Sequence, residues 1–396
     1  MKRAAVLILT GLLVGLVFSG SILAEEGVTD KEIVLAGHMD LSGPIAVWGI
    51  ALKTGLELRA KEINEAGGIY GRSIRVVIED SQYDPKRAVI VTNKLINLDK
   101  PFAFICNMGS ACGVATRQII ERNKIPQMFP ASATSELFEP FNRYTFGGFT
   151  PSYDEGRAMI KYFVEEKKYN RIGFFIQDDE MGHSLLQAAK EQLATYNLQP
   201  IAVETYKRGD TDFSSQIAKL KKADVQLVVL GTVIRETVGA WKEAKKIGWE
   251  VDMCGLKQTV NLHVPLLCKQ AGVSPEGLYA TVMSEFPHKD SELPLVRNFF
   301  RKYAELYGKS ADTQVFVGPW VLYFIELAAK KAGPNLTREK FVDALETIQN
   351  HTAKEYGLVP LTFTKTNHQG MSGIYIMQIR NDLYRKVSDK VYDFRK

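Results

Sequence analysis

Short apolar segments alternate with longer amphipathic segments along most of this chain, and this alternation constrains the fold more than any other feature. Apolar segments such as residues 33–39 and 172–176 have the length of buried strands, whereas residues 48–66 and 183–196 have the spacing of helices. Strands that alternate with helices build parallel sheets that the helices cover. The sequence therefore predicts an α/β fold.

The alternation runs through one set of strands and helices and then begins again. The first set predicts strands at residues 33–39, 74–79, 102–106 and 127–129. The second set predicts strands at residues 172–176, 201–206, 225–230 and 251–255. Helical patterns separate these strands, and one of them begins at Asp84 and Pro85, which suit an N-cap and a first helical turn. We expect two doubly wound, Rossmann-like lobes, for which 396 residues are sufficient.

The last part of the chain is less regular. Strand-like segments lie at residues 278–283 and 374–379, and helical patterns at residues 295–307, 317–331 and 338–348. Because both sets of strands are complete before these segments, we expect the chain to return and finish each lobe. The predicted lobes comprise residues 28–149 plus 282–368 and residues 150–281 plus 369–396. No glycine- or serine-rich linker divides them, which favours short crossings and hinge closure.

Residues 1–24 have the layout of a secretory signal peptide. Lys2 and Arg3 precede an apolar stretch at residues 4–18, and small or polar residues follow up to Ala24. A membrane anchor is the alternative, but the apolar stretch falls short of the roughly 20 residues that span a bilayer. A lipid anchor is disfavoured, because no cysteine lies near the cleavage point. We expect an exported, periplasmic protein.

Charge and motif content disfavour several classes of function. The net charge is +5, and basic and acidic residues are interleaved without a basic run, which argues against nucleic-acid binding. The chain has no G-x-S-x-G, P-loop or H-E-x-x-H motif, and its glycines do not form a G-x-G-x-x-G after a strand. We therefore expect no catalytic residues, no metal and no cofactor.

Four cysteines leave the redox state open. An oxidising compartment permits disulfides, and the spacings favour local pairs, Cys106 with Cys112 and Cys254 with Cys268. Free buried thiols are an equal alternative. A metal site is disfavoured because neither spacing is C-x-x-C.

Three loops follow strands of the first set. In open α/β sheets, ligands bind beyond the carboxyl ends of strands. Residues 40–44 precede Trp48, which could form a wall of the site; residues 107–113 contain Gly109 and Ser110; residues 131–135 are small and hydroxylated. Backbone N–H groups and hydroxyls at a helix N-terminus suit an anion. Ordinary turns and helix caps would explain the same residues without a ligand.

Several segments together resemble the periplasmic leucine/isoleucine/valine-binding proteins. The resemblance rests on residues 41–44 (Leu-Ser-Gly-Pro), Trp48-Gly49, residues 63–72, Asp84-Pro85, residues 130–134 and residues 212–214. It covers nearly the whole chain after residue 24. The resemblance implies a type I periplasmic binding fold with three hinge crossings, a monomer, and delivery of a small solute to an ABC permease.

The resemblance also implies candidate ligand-binding residues. On the first lobe these are Trp48, Gly109, Ser110, Ala111, Ala131, Ser132, Ala133 and Thr134. On the second lobe the family's acid for the ligand's α-ammonium falls at Lys257 and Gln258, and two pocket aromatics fall at Met181 and Val233. The acid at the start of the first crossing is replaced around Ser152, and Tyr83 stands at a disulfide position of the family.

These departures predict a carboxylate ligand that lacks an α-ammonium. An ammonium buried without its carboxylate partner would cost about 3 kcal/mol or more. We expect an aromatic or aliphatic organic acid, or a dicarboxylate if Lys257 faces the cleft. A shifted alignment is the alternative, in which Glu285 or Asp178 receives an amino acid's ammonium.

Three classes of function fit an exported two-lobed binder. The leading hypothesis is the binding component of an ABC importer. The same closure could serve a membrane receptor as a sensing module, and an exported enzyme on this scaffold is the third and weakest alternative.

Overall fold

The computed structural model describes residues 25–132, 134–207 and 209–393. The predicted signal peptide, residues 1–24, lies outside the described residues. Among the described residues, no helix is both long and apolar enough to cross a membrane.

A five-stranded parallel sheet forms the centre of the first lobe. Its strands are β1 (Glu32–Met39), β2 (Ser73–Asp80), β3 (Ala103–Ile105), β4 (Gln127–Met128) and β5 (Thr145–Phe146), in the order β2-β1-β3-β4-β5. The intervening helices are α1 (Ala46–Glu65), α2 (Pro85–Lys94) and α3 (Ser110–Arg122). A π-helical turn at Leu95–Asp99 continues α2. The Asp84 side chain accepts a hydrogen bond from the N–H of Arg87, as the predicted N-cap requires.

A seven-stranded sheet forms the centre of the second lobe. After α4 (Ser152–Glu165), its elements are β6 (Ile172–Gln177), α5 (Glu180–Ala194), β7 (Ala202–Tyr206), α6 (Ser214–Lys222), β8 (Leu227–Gly231), α7 (Ile234–Lys246), β9 (Asp252–Gly255), α8 (His263–Gln270) and β10 (Tyr279–Val282). The order is β12-β11-β10-β9-β8-β6-β7, in which β11 (Tyr375–Arg380) and β12 (Leu383–Lys386) come from the end of the chain. These last two strands run antiparallel to their neighbours, which the alternating pattern did not indicate.

The segment between β10 and β11 returns to the first lobe. It contains α9 (Pro294–Tyr307), α10 (Val317–Ala332) and α11 (Arg338–Leu345). Helix α10 and the turn before it pack closely on α1. A Cβ at Gly55 would lie 1.9 Å from the carbonyl oxygen of Val315 in that turn, and one at Gly318 in α10 would lie 2.2 Å from the carbonyl carbon of Gly55. This close approach brings the start of α10 beside the middle of α1, and both helices contribute residues to the candidate site described below.

Three segments cross between the two sheets. Residues 147–151 lead from β5 to α4, and they run beside residues 368–373: Gly370 N–H donates to the Gly147 carbonyl at 3.0 Å and Thr150 Oγ1 donates to the Gly373 carbonyl at 2.8 Å. Residues 283–287 form the other crossing, where Glu285 N–H donates to the Gly357 carbonyl at 2.9 Å. The two-lobed α/β fold is therefore confirmed. The residue limits of the lobes stay a prediction.

All four cysteines are buried and free. The sequence left disulfides and free thiols open, and the structure shows free thiols. Burial raises the pKa of Cys112 to about 11 and that of Cys268 to about 12, so both are protonated at neutral pH. Within the described ranges, no three His, Cys, Asp or Glu side chains gather into a possible metal site.

Candidate ligand-binding site

A cavity of about 330 Å³ lies between the two lobes. This volume is within the range of small-molecule sites. Side chains from the first lobe, the second lobe and the crossing at residues 283–287 line the cavity. Apolar members of the lining include Ile45, Trp48, Leu52, Tyr83, Met108, Phe149, Val260, Val282, Met283, Phe286, Phe316, Val317, Trp320 and Tyr356. The cavity therefore suits a solute with an apolar body.

The N-terminus of α3 forms part of the first-lobe wall of the cavity, which Gly109 and Ser110 line. Gly109 is the residue before the helix, and it supplies no side-chain cap. The first N–H groups of a helix have no acceptor within the helix, so this end is a favourable place for an anion. Ser132 Oγ donates to Ser110 Oγ at 3.0 Å, and both residues line the cavity. This group of donors suits a carboxylate.

Gly109 has the backbone conformation that this turn needs. Its φ is +97°, which side-chain-bearing residues rarely adopt. A Cβ at this position would also lie 2.8 Å from Cε2 of Tyr83, another cavity residue. The glycine thus lets the backbone reach the cavity without displacing the tyrosine.

The loop after β1 is held by two carboxylates. The buried Asp40 accepts hydrogen bonds from the N–H groups of Gly43 and Ile45. Asp80 accepts from Ser42 Oγ at 2.6 Å and from the N–H of Leu41 at 2.9 Å. Burial alone would raise the pKa of Asp80, but these hydrogen bonds lower it overall. The polar groups of the loop are therefore used within the protein, and the loop contributes Ile45 to the cavity.

Aromatic rings make up much of the rest of the cavity lining. Phe149 lies edge-on to Trp320, with ring centroids 5.3 Å apart. Trp48 adds a third ring from the start of α1 and is partly exposed. Large rings bury apolar surface at a small cost in conformational entropy and accept flat or branched ligand groups.

The second-lobe wall contains a buried ion pair. Lys257 lines the cavity, and its Nζ lies 2.7 Å from Oε2 of Glu155 and 3.2 Å from Oγ of Ser152. Glu155 Oε1 accepts two further hydrogen bonds of 2.6 Å, from the backbone N–H of Lys257 and from Oγ1 of Thr281. The Glu155 side chain is only 1% exposed and that of Lys257 is 15% exposed. The lysine that faces the cavity is therefore neutralised by the protein itself.

The two alternative acids of the sequence analysis differ in position. Glu285 lines the cavity, but its Oε1 lies 2.5 Å from Nζ of Lys386. Asp178 is exposed, pairs with His183 and does not line the cavity. The Gln258 amide lies beside Met181, with Nε2 3.9 Å from Sδ, and its Oε1 is buried without a hydrogen-bond partner among the described residues.

The structure brings together seven of the candidate binding residues. The cavity lining includes Trp48, Gly109, Ser110, Ala131, Ser132, Lys257 and Gln258. It does not include Ala111, Thr134, Met181 or Val233. Ala133 lies outside the described residues. As a set, these assignments remain predictions, since no ligand contact tests them.

Sequence reasoning missed several residues of the site. Phe149, Phe316, Trp320 and Tyr356 lie far from the predicted loops in sequence and reach the cavity through the crossings and the return of the chain. Glu155 was missed because an acid in the first turn of a helix is usually explained by the helix dipole. The aromatic content of residues 313–324 was the available signal for the returning wall.

Comparison with known proteins gives a consistent result. A family model described as "periplasmic binding protein" matches residues 32–383. The Leu/Ile/Val-binding protein of Escherichia coli is 29% identical over 286 residues, which cover 72% of this chain and 74% of that protein.

Two solved structures share the fold. A fatty acid ABC transporter substrate-binding protein from Thermomonospora curvata has a TM-score of 0.77 and 24% identity, and the match covers 93% of this chain and 94% of that one. A branched-chain amino acid ABC transporter protein from Thermus thermophilus, with bound valine, has a TM-score of 0.76 and 20% identity, with 92% and 97% covered.

Proposed function

The chain belongs to the periplasmic binding protein family, and we propose that it is the binding component of an ABC importer of the branched-chain amino acid type, with an organic acid as its solute. The named relatives are binding proteins, so the prediction that the chain is not an enzyme is confirmed. Within this class, the identity of the solute depends on the chain's own cavity residues.

The first-lobe donors support a carboxylate on the ligand. The N-terminus of α3 contributes about 0.3–1 kcal/mol toward an anion, and up to about 2 kcal/mol in a partly buried site. The hydroxyl of Ser110 adds a donor beside it, because Ser110 Oγ accepts the hydrogen bond from Ser132 and keeps its own hydrogen for a ligand. One carboxylate is the group that these donors would hold best.

The proposal rests on one observation: the charged side chains at the cavity wall are already paired within the protein. Lys257 is paired with Glu155, and Glu285 is paired with Lys386. Among the described residues, the carboxylates that an α-ammonium would meet at the cavity wall are already bound by lysines of the protein. Burying a cation without a partner costs about 3 kcal/mol or more, which is over a hundredfold in affinity.

The same ion pair argues against a dicarboxylate. A second ligand carboxylate would have to compete with Glu155 for Lys257, and Glu155 is held by three hydrogen bonds. The aromatic and aliphatic lining instead supports an apolar body. A monocarboxylate with an aromatic or branched aliphatic body is therefore the proposed ligand class.

The family supports a periplasmic location and a permease partner. We propose that closure of the two lobes over the solute forms the surface that an inner-membrane ABC permease recognises. A monomer is sufficient for this role. The export signal at residues 1–24 remains a prediction of the sequence.

Matched pairs of ligands test the proposal directly. The pair 4-methylpentanoate and leucine differs only in the α-ammonium, and so does the pair 3-phenylpropanoate and phenylalanine. Titration calorimetry on protein refolded from denaturant, so that bound solute is removed, should give dissociation constants at least a hundredfold lower for one acid than for its amino acid.

Binding of leucine at micromolar or lower concentration, with no binding of 4-methylpentanoate, would contradict the proposal. In that case Glu285 would be the remaining acceptor for the ammonium, and Glu285→Gln should abolish leucine binding.

A further inference from the structure

Glu155 occupies an unusual position for a carboxylate that does not line the cavity. It is buried beneath the second-lobe wall, at the start of α4 and directly after the first crossing. Both of its oxygens are bound by hydrogen-bond donors, and two of the three bonds come from one residue, Lys257. Lys257 lines the cavity, whereas Glu155 does not, so the lysine separates the carboxylate from the ligand.

The geometry around Lys257 Nζ is that of an ammonium-binding site. One carboxylate oxygen lies at 2.7 Å and one hydroxyl oxygen at 3.2 Å, which are the partners that a primary ammonium uses. The backbone N–H of Lys257 binds the other carboxylate oxygen, so the side chain folds back over the same carboxylate that holds its main chain. The ammonium is thereby fixed at the cavity wall.

We propose that Glu155 and Ser152 form a latent ammonium site and that Lys257 fills it with the chain's own ammonium. Lys257 is then the residue that determines specificity, since it prevents a ligand ammonium from reaching Glu155. This inference rests on the proposed function and extends it, because it names the residues that would exclude amino acids and predicts how the exclusion is removed.

The site should accept an ammonium from outside once the lysine is shortened. In Lys257→Ala the backbone N–H that binds Glu155 is kept, while Nζ and the methylenes are lost. Leucine should then bind at least tenfold more tightly than it binds to the natural chain, and 4-methylpentanoate should bind more weakly because Glu155 is left as an unpaired negative charge. The ratio of the two dissociation constants, measured by calorimetry, is the quantity tested.

The double variant Lys257→Ala with Glu155→Gln is the matched control. It has the same space but lacks the carboxylate, so it should not gain affinity for leucine. A general loosening of the wall would instead increase leucine binding in both variants, and that result would overturn the inference.

Small ions provide a second measurement that does not depend on the binding of an organic acid or an amino acid. Methylammonium should raise the unfolding temperature of Lys257→Ala more than that of the natural chain, whereas tetramethylammonium, which has no N–H donor, should not. If Lys257→Ala is unfolded without additives, the yield of refolding in the methylammonium salt and in the tetramethylammonium salt is measured instead of the unfolding temperature. Equal effects of the two ions would overturn the inference.

The outcomes separate this inference from the proposed function. If no acid of the panel binds the natural chain, both fail. If the acids bind the natural chain and outcompete their amino acids, but Lys257→Ala leaves the ratio unchanged, only the role of Lys257 is wrong.

Discussion

The two walls of the cavity present charge to a ligand in different ways. On the first-lobe wall, the N-terminus of α3 and the hydroxyls of Ser110 and Ser132 are neutral donors gathered around one place. On the second-lobe wall, Lys257 and Glu155 are full charges that bind each other. An anion would satisfy the donors of the first wall, whereas the two charges of the second wall already compensate each other. On the proposed function, specificity would therefore depend on which charges the protein already compensates with its own side chains.

The largest effect is expected from breaking the ion pair of the second wall. Lys257→Met leaves Glu155 buried without its cation, which should lower the free energy of unfolding by about 3–5 kcal/mol. The double variant Lys257→Met with Glu155→Gln removes both charges and should recover most of that loss. Urea unfolding followed by circular dichroism measures both. Equal losses in the single and double variants would show that packing, rather than charge, is responsible.

Acid should weaken the first lobe through a buried histidine. His38 lies on β1, fully buried, with no hydrogen-bond partner for either ring nitrogen among the described residues, and burial lowers its pKa from 6.5 to about 4. The unfolded chain therefore takes up this proton before the folded chain does. The contribution of the uncharged His38 to the free energy of unfolding is therefore fully present above pH 6.5. It falls by about 3 kcal/mol as the pH drops to 4.

The variant His38→Met tests this assignment, since an apolar side chain of similar length does not titrate. The difference in unfolding free energy between the natural chain and the variant should change between pH 7 and pH 4. A constant difference over that range would mean that His38 does not carry the pH dependence. Hydrogen exchange should locate the acid-induced loss of protection in β1 and its neighbours.

The turn before α3 should show a smaller effect, confined mainly to binding. Gly109→Ala forces a side chain onto a φ of +97° and against the ring of Tyr83, so the donors at the start of α3 shift. We expect a loss of about tenfold or more in affinity for the acid of the panel that binds best. Gly308→Ala, at the left-handed end of α9 and with nothing near its Cβ, is a control for backbone strain alone.

The smallest effect is expected from a single hydroxyl. Ser132→Ala removes the hydroxyl that donates to Ser110 Oγ and so orients the Ser110 hydroxyl; a net hydrogen bond contributes about 1 kcal/mol, or about fivefold in affinity. Thr134→Ala is the matched control, because Thr134 lies two residues away but does not line the cavity. Calorimetry with the same acid distinguishes them, and equal losses would place the carboxylate elsewhere.

Most of the fold could be predicted from the sequence, because local patterns determine strands and helices. The predicted helix at residues 317–331 is α10 (Val317–Ala332), and the predicted strand at residues 172–176 is β6 (Ile172–Gln177). The short helix α8 and the short strands β5 and β12 were missed. All three are short, and short elements carry a weak periodic signal.

The candidate site could be predicted on one wall only. Gly109, Ser110, Ala131 and Ser132 directly follow strands, so the rule that ligands bind beyond the carboxyl ends of strands was sufficient to indicate them. Phe149 and Trp320 were not indicated, because their contact requires the first crossing and the return of the chain to meet.

The sequence by itself determined the two lobes, the family and the loops that offer donors, since each depends on residues close together in the chain. Only the tertiary structure decided that the positive charge of Lys257 is compensated by a carboxylate of the protein and not by a ligand. Its partner Glu155 lies 102 positions away, and the pairing exists because α4, the segment after β9, and β10 pack around one carboxylate. A buried charge must be compensated nearby in space, and the sequence does not state which residues will be near.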